Sequence, residues 1–212
     1  MPADALTAFR AALSDMPAPD AAALAAARDR DARLTKPAGA LGRLEALAAW
    51  WCGWRGVARG RLARPQIVVF AGDHGIVARG VSAFPAAVTA QMVANFRAGG
   101  AAINQLAGIL GARLDVVALE VGRPTADFTQ APAMSDAELA DALAAGRAAV
   151  DPGADLLIPG EMGIGATTAA AALAAALLGG TGADWCGRGT GVDDAGLAAK
   201  VAAVDAGLAL HR

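Results

Sequence analysis

The stretch Pro159–Thr168, PGEMGIGATT, decides how the rest of the sequence is interpreted. A short apolar run that ends at Ile158 precedes this stretch, and an alanine-rich run from Ala169 to Leu178 follows it. Proline and glycine interrupt regular segments, whereas alanine is the strongest helix former. The order therefore predicts a strand, then a loop that starts at Pro159 and Gly160, then the N-terminus of a helix.

This predicted loop and first helical turn carry the groups that an anion site needs. A helix N-terminus presents unpaired backbone N–H groups and a positive partial charge. Gly163 and Gly165 leave room for the close approach of a ligand, and the hydroxyls of Thr167 and Thr168 are further donors. Two interpretations stay open: a phosphate site at the turn that contains Met162, and an ordinary tight turn before an alanine-rich helix.

Glu161 adds an acceptor next to these donors. A carboxylate beside an anion site suits a ligand that carries a phosphate at one end and hydroxyl or N–H groups at the other. A phosphorylated sugar fits that description.

The composition argues against several classes of function. A chain of 212 residues can form one domain with a sizeable core, or one domain and a small appendage. The net charge of −2 favours neither nucleic acid nor an anionic membrane surface as a partner. Cys52 and Cys186 lie far apart and the first residues lack a signal-peptide pattern, which predicts a reduced, cytoplasmic protein. The uncharged segment 162–180 has few large side chains, so we expect a buried helix and no membrane span.

The chain divides into a helical N-terminal part and an α/β part. Residues 1–60 have helical spacing with many charges and are expected to form a helical arm belonging to a small domain. Its tryptophan cluster is interpreted as packing or oligomer contacts: Trp50, Trp51 and Trp54. Residues 61–212 alternate strand and helix patterns, with strands predicted at 66–71, 114–119 and 154–158. This alternation predicts an α/β fold in which a parallel sheet has helices on both faces.

Two helices of the second part have clear sequence signals. Ser135 and Glu138 form a capping box, which predicts a helix over 136–150. The last segment, 194–212, is predicted to be a helix that contains Lys200.

A polar turn follows the first predicted strand. Asp73 and His74 come directly after the run that ends at Ala71, where open α/β sheets place their ligands. Asp73 is therefore a candidate site residue, with the alternative that it only orders its own turn. His74 is either a general acid/base or a structural residue of a glycine-rich turn.

The segment after this turn is predicted to be an amphipathic helix that begins at Pro85. Val88, Met92 and Phe96 form its apolar face, and Gln91 and Asn95 form a polar stripe. Such a helix suits a flat aromatic ligand with a polar edge, and it equally suits an ordinary half-buried helix.

Four stretches together resemble one enzyme family over almost the whole chain. They are KPAGALGRLE (36–45), FAGDHGIVARGVSAFPAAVTAQMVANFRAGGAAINQLA (70–107), GEMGIGATTAAAAL (160–173) and GRGTGVDDAGLAAK (187–200). They resemble the nicotinate-nucleotide:dimethylbenzimidazole phosphoribosyltransferases, which assemble the lower-ligand nucleotide of cobalamin.

The resemblance implies a Rossmann-like parallel sheet with a small helical domain, a homodimer, no metal and no cofactor. It also implies a reaction between small molecules, in which nicotinate mononucleotide and 5,6-dimethylbenzimidazole give α-ribazole 5′-phosphate and nicotinate. Breaking the bond to a cationic pyridine nitrogen releases a neutral ring, and the azole loses an N–H proton to a base as it attacks.

The resemblance also assigns residues. Glu161 and Gly163 match the family's nucleotide-contacting pair, and Lys200 matches its phosphate-binding lysine. The segment 82–92 matches the wall of the benzimidazole pocket, which implies the following contacts: Ser82, Phe84, Gln91 and Met92. Phe84 and Met92 replace polar residues of some members. The family's chain continues beyond the position of Arg212 and carries its usual catalytic base there, so the α/β part is expected to be incomplete and Glu161 is the candidate base within this sequence.

Two rival functions follow from the same residues. A non-catalytic protein could hold a nucleotide or azole without reacting it. A dinucleotide-dependent oxidoreductase could be built on GRGTG at 187–191, although no acidic residue follows at the required distance.

Overall fold

The computed structural model describes residues 2–212, whose contacts form two compact units, residues 3–64 and residues 65–212. The first unit contains α1 (Pro2–Ser14), α2 (Ala21–Ala32) and α3 (Arg43–Arg55). Small side chains let α2 and α3 approach closely, and their shared core consists of Ala27, Ala49 and Cys52. Three helices therefore lie within the part of the chain for which the sequence predicts helical spacing.

The tryptophans of α3 differ in their environment. Trp51 packs against the core shared by α2 and α3. Trp50 and Trp54 are 53% and 45% exposed. The packing interpretation therefore applies to Trp51, and the prediction of oligomer contacts remains for the other two.

The second unit is built on a parallel sheet of β1 (Pro65–Gly72), β2 (Arg113–Leu119) and β3 (Leu156–Met162), in the order β2-β1-β3. β1 is central because its side chains are apolar on both faces, with Ile67, Val68 and Val69 at most 5% exposed. The predicted α/β fold with a parallel sheet is confirmed.

Helices cover both faces of this sheet. α4 (Val88–Arg97) and α5 (Ala102–Leu110) pack on one face, where Phe96 and Ala107 contact the core around Ile67. On the other face the amide of buried Gln66 donates to the carbonyl of Ala149, directly after α6 (Asp136–Ala148). The predicted capping box of α6 is confirmed, since Ser135 and Glu138 bond each other's backbone N–H groups.

The remaining helices are α7 (Ala166–Leu178), α8 (Gly182–Trp185) and α9 (Asp194–His211). α7 and α9 share a core in which Ala171 and Ala175 meet Val204. Only one face of α7 is buried, since Leu177 is 81% exposed, so the prediction of a buried helix holds for half of its surface. No helix in the described part of the chain is long and apolar enough to cross a membrane.

The structure corrects the predicted end of the third strand. β3 does not stop before Pro159 but runs through it to Met162, which pairs with Ala71 of β1. Proline is tolerated there because β3 lies at the margin of the three-stranded sheet, where a backbone N–H is dispensable. Glu161 therefore lies on a strand, and the loop is only Gly163–Gly165.

The structure also corrects the start and the phase of α4. Pro85 is the first residue of a tight turn, in which its carbonyl accepts from Val88 N–H at 3.0 Å. The α-helix itself begins at Val88. Its buried residues are Thr89 and Val93, while the predicted apolar face is only half-buried. The inward face of α4 is therefore centred on Thr89 and Val93, one residue along from the predicted positions Val88 and Met92.

Candidate functional site

The loops that follow the three strands meet at the carboxyl edge of the sheet. The carbonyl of Asp73 accepts from Thr125 N–H at 3.1 Å, and Gly75 N–H donates to Thr125 Oγ1 at 3.3 Å. Oδ2 of Asp73 accepts from Gly122 N–H at 2.6 Å. The predicted alternative, in which Asp73 orders its own turn, is therefore replaced by bonds that join the loops after β1 and β2.

The loop after β3 packs directly on the loop after β1. A Cβ atom at Gly163 would lie 2.5 Å from the Gly72 carbonyl oxygen and 2.8 Å from His74 Nε2. Gly165 has φ +90°, and a Cβ there would lie 2.8 Å from Val77 Cγ2. Both glycines are thus required by contact between protein loops, a reason that the sequence analysis did not consider.

The N-terminus of α7 presents donors that the protein does not use. The N–H groups of Ala166 and Thr168 bond carbonyls of the same turn, and Ile164 N–H bonds Thr89 Oγ1. Among the hydrogen bonds of residues 2–212, none uses the N–H of Gly165 or Thr167. Two unbonded amides at a helix N-terminus that starts from a left-handed glycine are an arrangement that suits an anion.

Lys200 of α9 lies beside this corner, which is the turn formed by residues 163–168. Its ammonium donates to Thr167 Oγ1 at 2.9 Å, and the residue is only 2% exposed. Within the described chain no carboxylate forms an ion pair with it. A buried cation without a counter-charge is costly, so this arrangement favours an anion beside Thr167.

The other predicted residues of the corner have distinct environments. Thr168 is fully buried and its hydroxyl has no partner among the described residues. The side chain of Met162 packs against the core of the sheet, so only its backbone can face a ligand. Glu161 is exposed on β3, and desolvation raises the pKa of its carboxyl above the ordinary 4.5. A raised pKa makes this carboxylate a better proton acceptor.

His74 lies between the corner and an apolar cavity. Its ring contacts Gly163, and it also lines a cavity of about 360 Å³ together with Phe128 and Leu208. Burial lowers the pKa of His74 below 6.5, which the negative charge of Asp73 only partly opposes. The contacts therefore favour the structural role that the sequence left open.

The segment 82–92 contacts the corner through a residue that the sequence analysis missed. Ser82 Oγ accepts from the N–H of Phe84, whose side chain is 47% exposed. Gln91 is exposed and Met92 is half-buried on α4. The hydrogen bond between this segment and the corner is accepted by the hydroxyl of Thr89 from Ile164 N–H. In the sequence, Thr89 stands out as a polar residue within an apolar helical stripe.

The motif GRGTG at 187–191 lies between α8 and α9. A dinucleotide-binding turn follows a strand directly, so the oxidoreductase alternative is wrong. No group of three or more His, Cys, Asp or Glu side chains within residues 2–212 could hold a metal ion.

Comparisons with known proteins identify the family of this chain. A family model described as "Phosphoribosyltransferase" matches residues 16–212. The nicotinate-nucleotide–dimethylbenzimidazole phosphoribosyltransferase of Ruegeria pomeroyi is 66% identical over 206 residues, which are 97% of this chain and 61% of that protein. The enzyme of the same name from Roseobacter denitrificans is 67% identical over 94% of this chain and 59% of its own length.

A solved structure, CobT from Thermus thermophilus, superposes with a TM-score of 0.83 and 45% identity. The match covers 90% of this chain and 63% of that one. The chain therefore spans less than two thirds of the length of these relatives.

The contact between loops predicts the effect of a single methyl group. Gly163→Ala should lower the free energy of unfolding by about 1–3 kcal/mol, because the new Cβ overlaps a backbone oxygen. Gly108→Ala in α5 is the matched control, since a Cβ there meets nothing within 4 Å. It should stabilise the helix by up to about 1 kcal/mol. Urea unfolding measures both, and equal stability of Gly163→Ala and the wild type would contradict the packing argument.

The environment of His74 predicts a pH dependence. Because its pKa in the folded protein is lowered from 6.5, the unfolded chain binds this proton more tightly. Neutral His74 therefore contributes to the free energy of unfolding fully above pH 6.5, and this contribution is lost as the pH falls toward the pKa of His74 in the folded protein. The free energy of unfolding, measured by urea titration at about pH 7.5 and about pH 5.5, should fall less for His74→Gln than for the wild type. Glu161, whose shift has the opposite effect, is common to both proteins, and identical falls would refute the assignment.

Proposed function

The chain belongs to the phosphoribosyltransferase family, and on that premise we propose that it binds nicotinate mononucleotide and transfers its phosphoribosyl group to 5,6-dimethylbenzimidazole. The products are α-ribazole 5′-phosphate and nicotinate. The observation that carries this proposal is the buried ammonium of Lys200, held beside Thr167 at the N-terminus of α7 without a carboxylate partner in the described chain. The names of the relatives state both substrates.

In this proposal the 5′-phosphate lies at the corner. The ammonium of Lys200 and the hydroxyl of Thr167 bind two of its oxygens, and the N–H groups of Gly165 and Thr167 bind a third. Gly163 and the backbone of Met162 lie beneath the phosphate in this proposal, and the buried hydroxyl of Thr168 lies beside them.

Asp73 is proposed to hold the ribose. One of its carboxylate oxygens bonds Gly122 N–H, and the other, Oδ1, is buried without a partner among the described residues. A ribose hydroxyl is a donor that would satisfy this oxygen.

The azole is proposed to lie against the segment 82–92, between Ser82, Phe84, Gln91 and Met92. Its ring nitrogen attacks C1′ of the ribose, and the electron pair of the breaking bond returns to the pyridine nitrogen of nicotinate. Glu161, whose pKa is raised by desolvation, is the candidate acceptor of the azole N–H proton within this chain. Alignment of both partners supplies much of the remaining acceleration.

A binding protein without catalysis is the second candidate, because Lys200 and Thr167 would hold a nucleotide phosphate equally well if no transfer followed. Release of nicotinate that requires both substrates distinguishes the two functions. A homodimer remains a prediction of the family resemblance, and size-exclusion chromatography with light scattering tests it. A cytoplasmic location remains a prediction from the cysteines and the first residues of the sequence.

The phosphate assignment predicts the effect of removing one charge. Lys200→Met keeps most of the buried side-chain volume but has no ammonium, so nicotinate mononucleotide should bind roughly 10- to 100-fold more weakly in calorimetry. The free energy of unfolding of Lys200→Met should equal or exceed that of the wild type, because an unpaired buried charge is removed.

Arg97→Ala is the control for this experiment. It removes a positive charge from an exposed position at the end of α4 away from Thr89. Its affinity for the nucleotide should equal that of the wild type. Unchanged affinity of Lys200→Met would contradict the phosphate assignment.

A further inference from the structure

Thr89 is a buried polar residue that contacts the corner from a helix. It lies in the first turn of α4, is 0% exposed, and accepts a hydrogen bond from Ile164 N–H at 3.2 Å. Val93 is its buried neighbour one turn later, so an aliphatic side chain would suit this face of the helix. The hydroxyl therefore has a purpose beyond filling the core.

The turn that Thr89 contacts has little conformational preference of its own. Ile164 is flanked by Gly163 and Gly165, and glycine adopts positive and negative φ with similar ease. The side chain of Ile164 is 6% exposed, and its amide points toward Thr89. An external acceptor at this amide selects one orientation of the turn.

We propose that Thr89 is a positioning residue for the anion site. By fixing the amide of Ile164 toward the interior, Thr89 leaves the N–H groups of Gly165 and Thr167 directed at the ligand. The inference rests on the proposed function, because the ligand at these amides is the phosphate of the nucleotide. Thr89 lies within the segment 82–92 that forms the proposed azole wall, so it also fixes that wall to the nucleotide corner.

A purely structural role makes a different prediction. If Thr89 only satisfied a buried amide, its loss would lower the free energy of unfolding without a specific effect on nucleotide affinity. A positioning role changes nucleotide affinity and the local protection of the turn, and both should be restored by a hydroxyl.

Two matched pairs of proteins isolate the hydroxyl. In the first pair, wild type has the hydroxyl and Thr89→Val lacks it, at nearly equal side-chain volume. In the second pair, neither protein has the methyl group, and only Thr89→Ser, not Thr89→Ala, has the hydroxyl. The second pair decides the question if Thr89→Val does not fold. Calorimetry with nicotinate mononucleotide should show roughly 5- to 30-fold weaker binding for the member of each pair without the hydroxyl.

Amide hydrogen exchange of the same proteins supplies a readout that needs no ligand. The amide of Ile164 should exchange at least about 10-fold faster without the hydroxyl, while amides of β1 keep their protection. Equal nucleotide affinity within each pair would overturn the proposal even if exchange differed, because loss of one hydrogen bond by itself speeds exchange of the Ile164 amide. If the wild type bound no nucleotide, the proposed function would fail, and equal exchange at Ile164 within each pair would still overturn the role of Thr89.

Discussion

The structure depends on one close approach between two loops. The turn after β3 lies against the carbonyl of Gly72 and the ring of His74, at distances that a Cβ atom at Gly163 would make impossible. This contact fixes where α7 begins relative to the central strand. Because the loop after β1 is also bonded to the loop after β2 through Asp73 and Thr125, three loops form one rigid edge. Rigid edges suit binding sites, since less freedom is lost when a ligand arrives.

The second constraint is electrostatic. α9 packs on the loop after β1 through Ala203 and Ile76, and this contact places Lys200 beside the first turn of α7. Burying an ammonium group against a hydroxyl alone does not stabilise a fold, because a single neutral acceptor does not replace the hydration of the charge. The arrangement is understandable if an anion completes it, and the positive end of α7 acts in the same direction. Structure and family membership therefore lead to the same ligand chemistry.

The sequence predicted the elements with strong local signals. The parallel sheet, the capping box of α6 and the family were all predicted and are confirmed. The extension of β3 through Pro159 was missed, because proline ends a strand by local preference while pairing with β1 overrides that preference. The start of α4 was missed because Pro85 initiates a tighter turn first.

The candidate site was predicted in part, for a physical reason. Glycines and threonines after a strand predict an anion corner, and the resemblance predicts that Lys200 belongs to it. Contacts across long sequence distances leave no local pattern, so neither the bond of Thr89 to Ile164 nor that of Asp73 to Gly122 could be predicted. The packing role of Gly163 was hidden for the same reason, since its neighbours lie in the loop after β1.

The most direct measurement is a crystal structure of this chain with nicotinate mononucleotide bound. The account predicts that the phosphorus atom lies at the N-terminus of α7, with phosphate oxygens within hydrogen-bond distance of Lys200 Nζ and of the Gly165 and Thr167 amides. A phosphate found elsewhere, with Lys200 still bonded only to Thr167, would contradict the central claim that this corner is built for an anion.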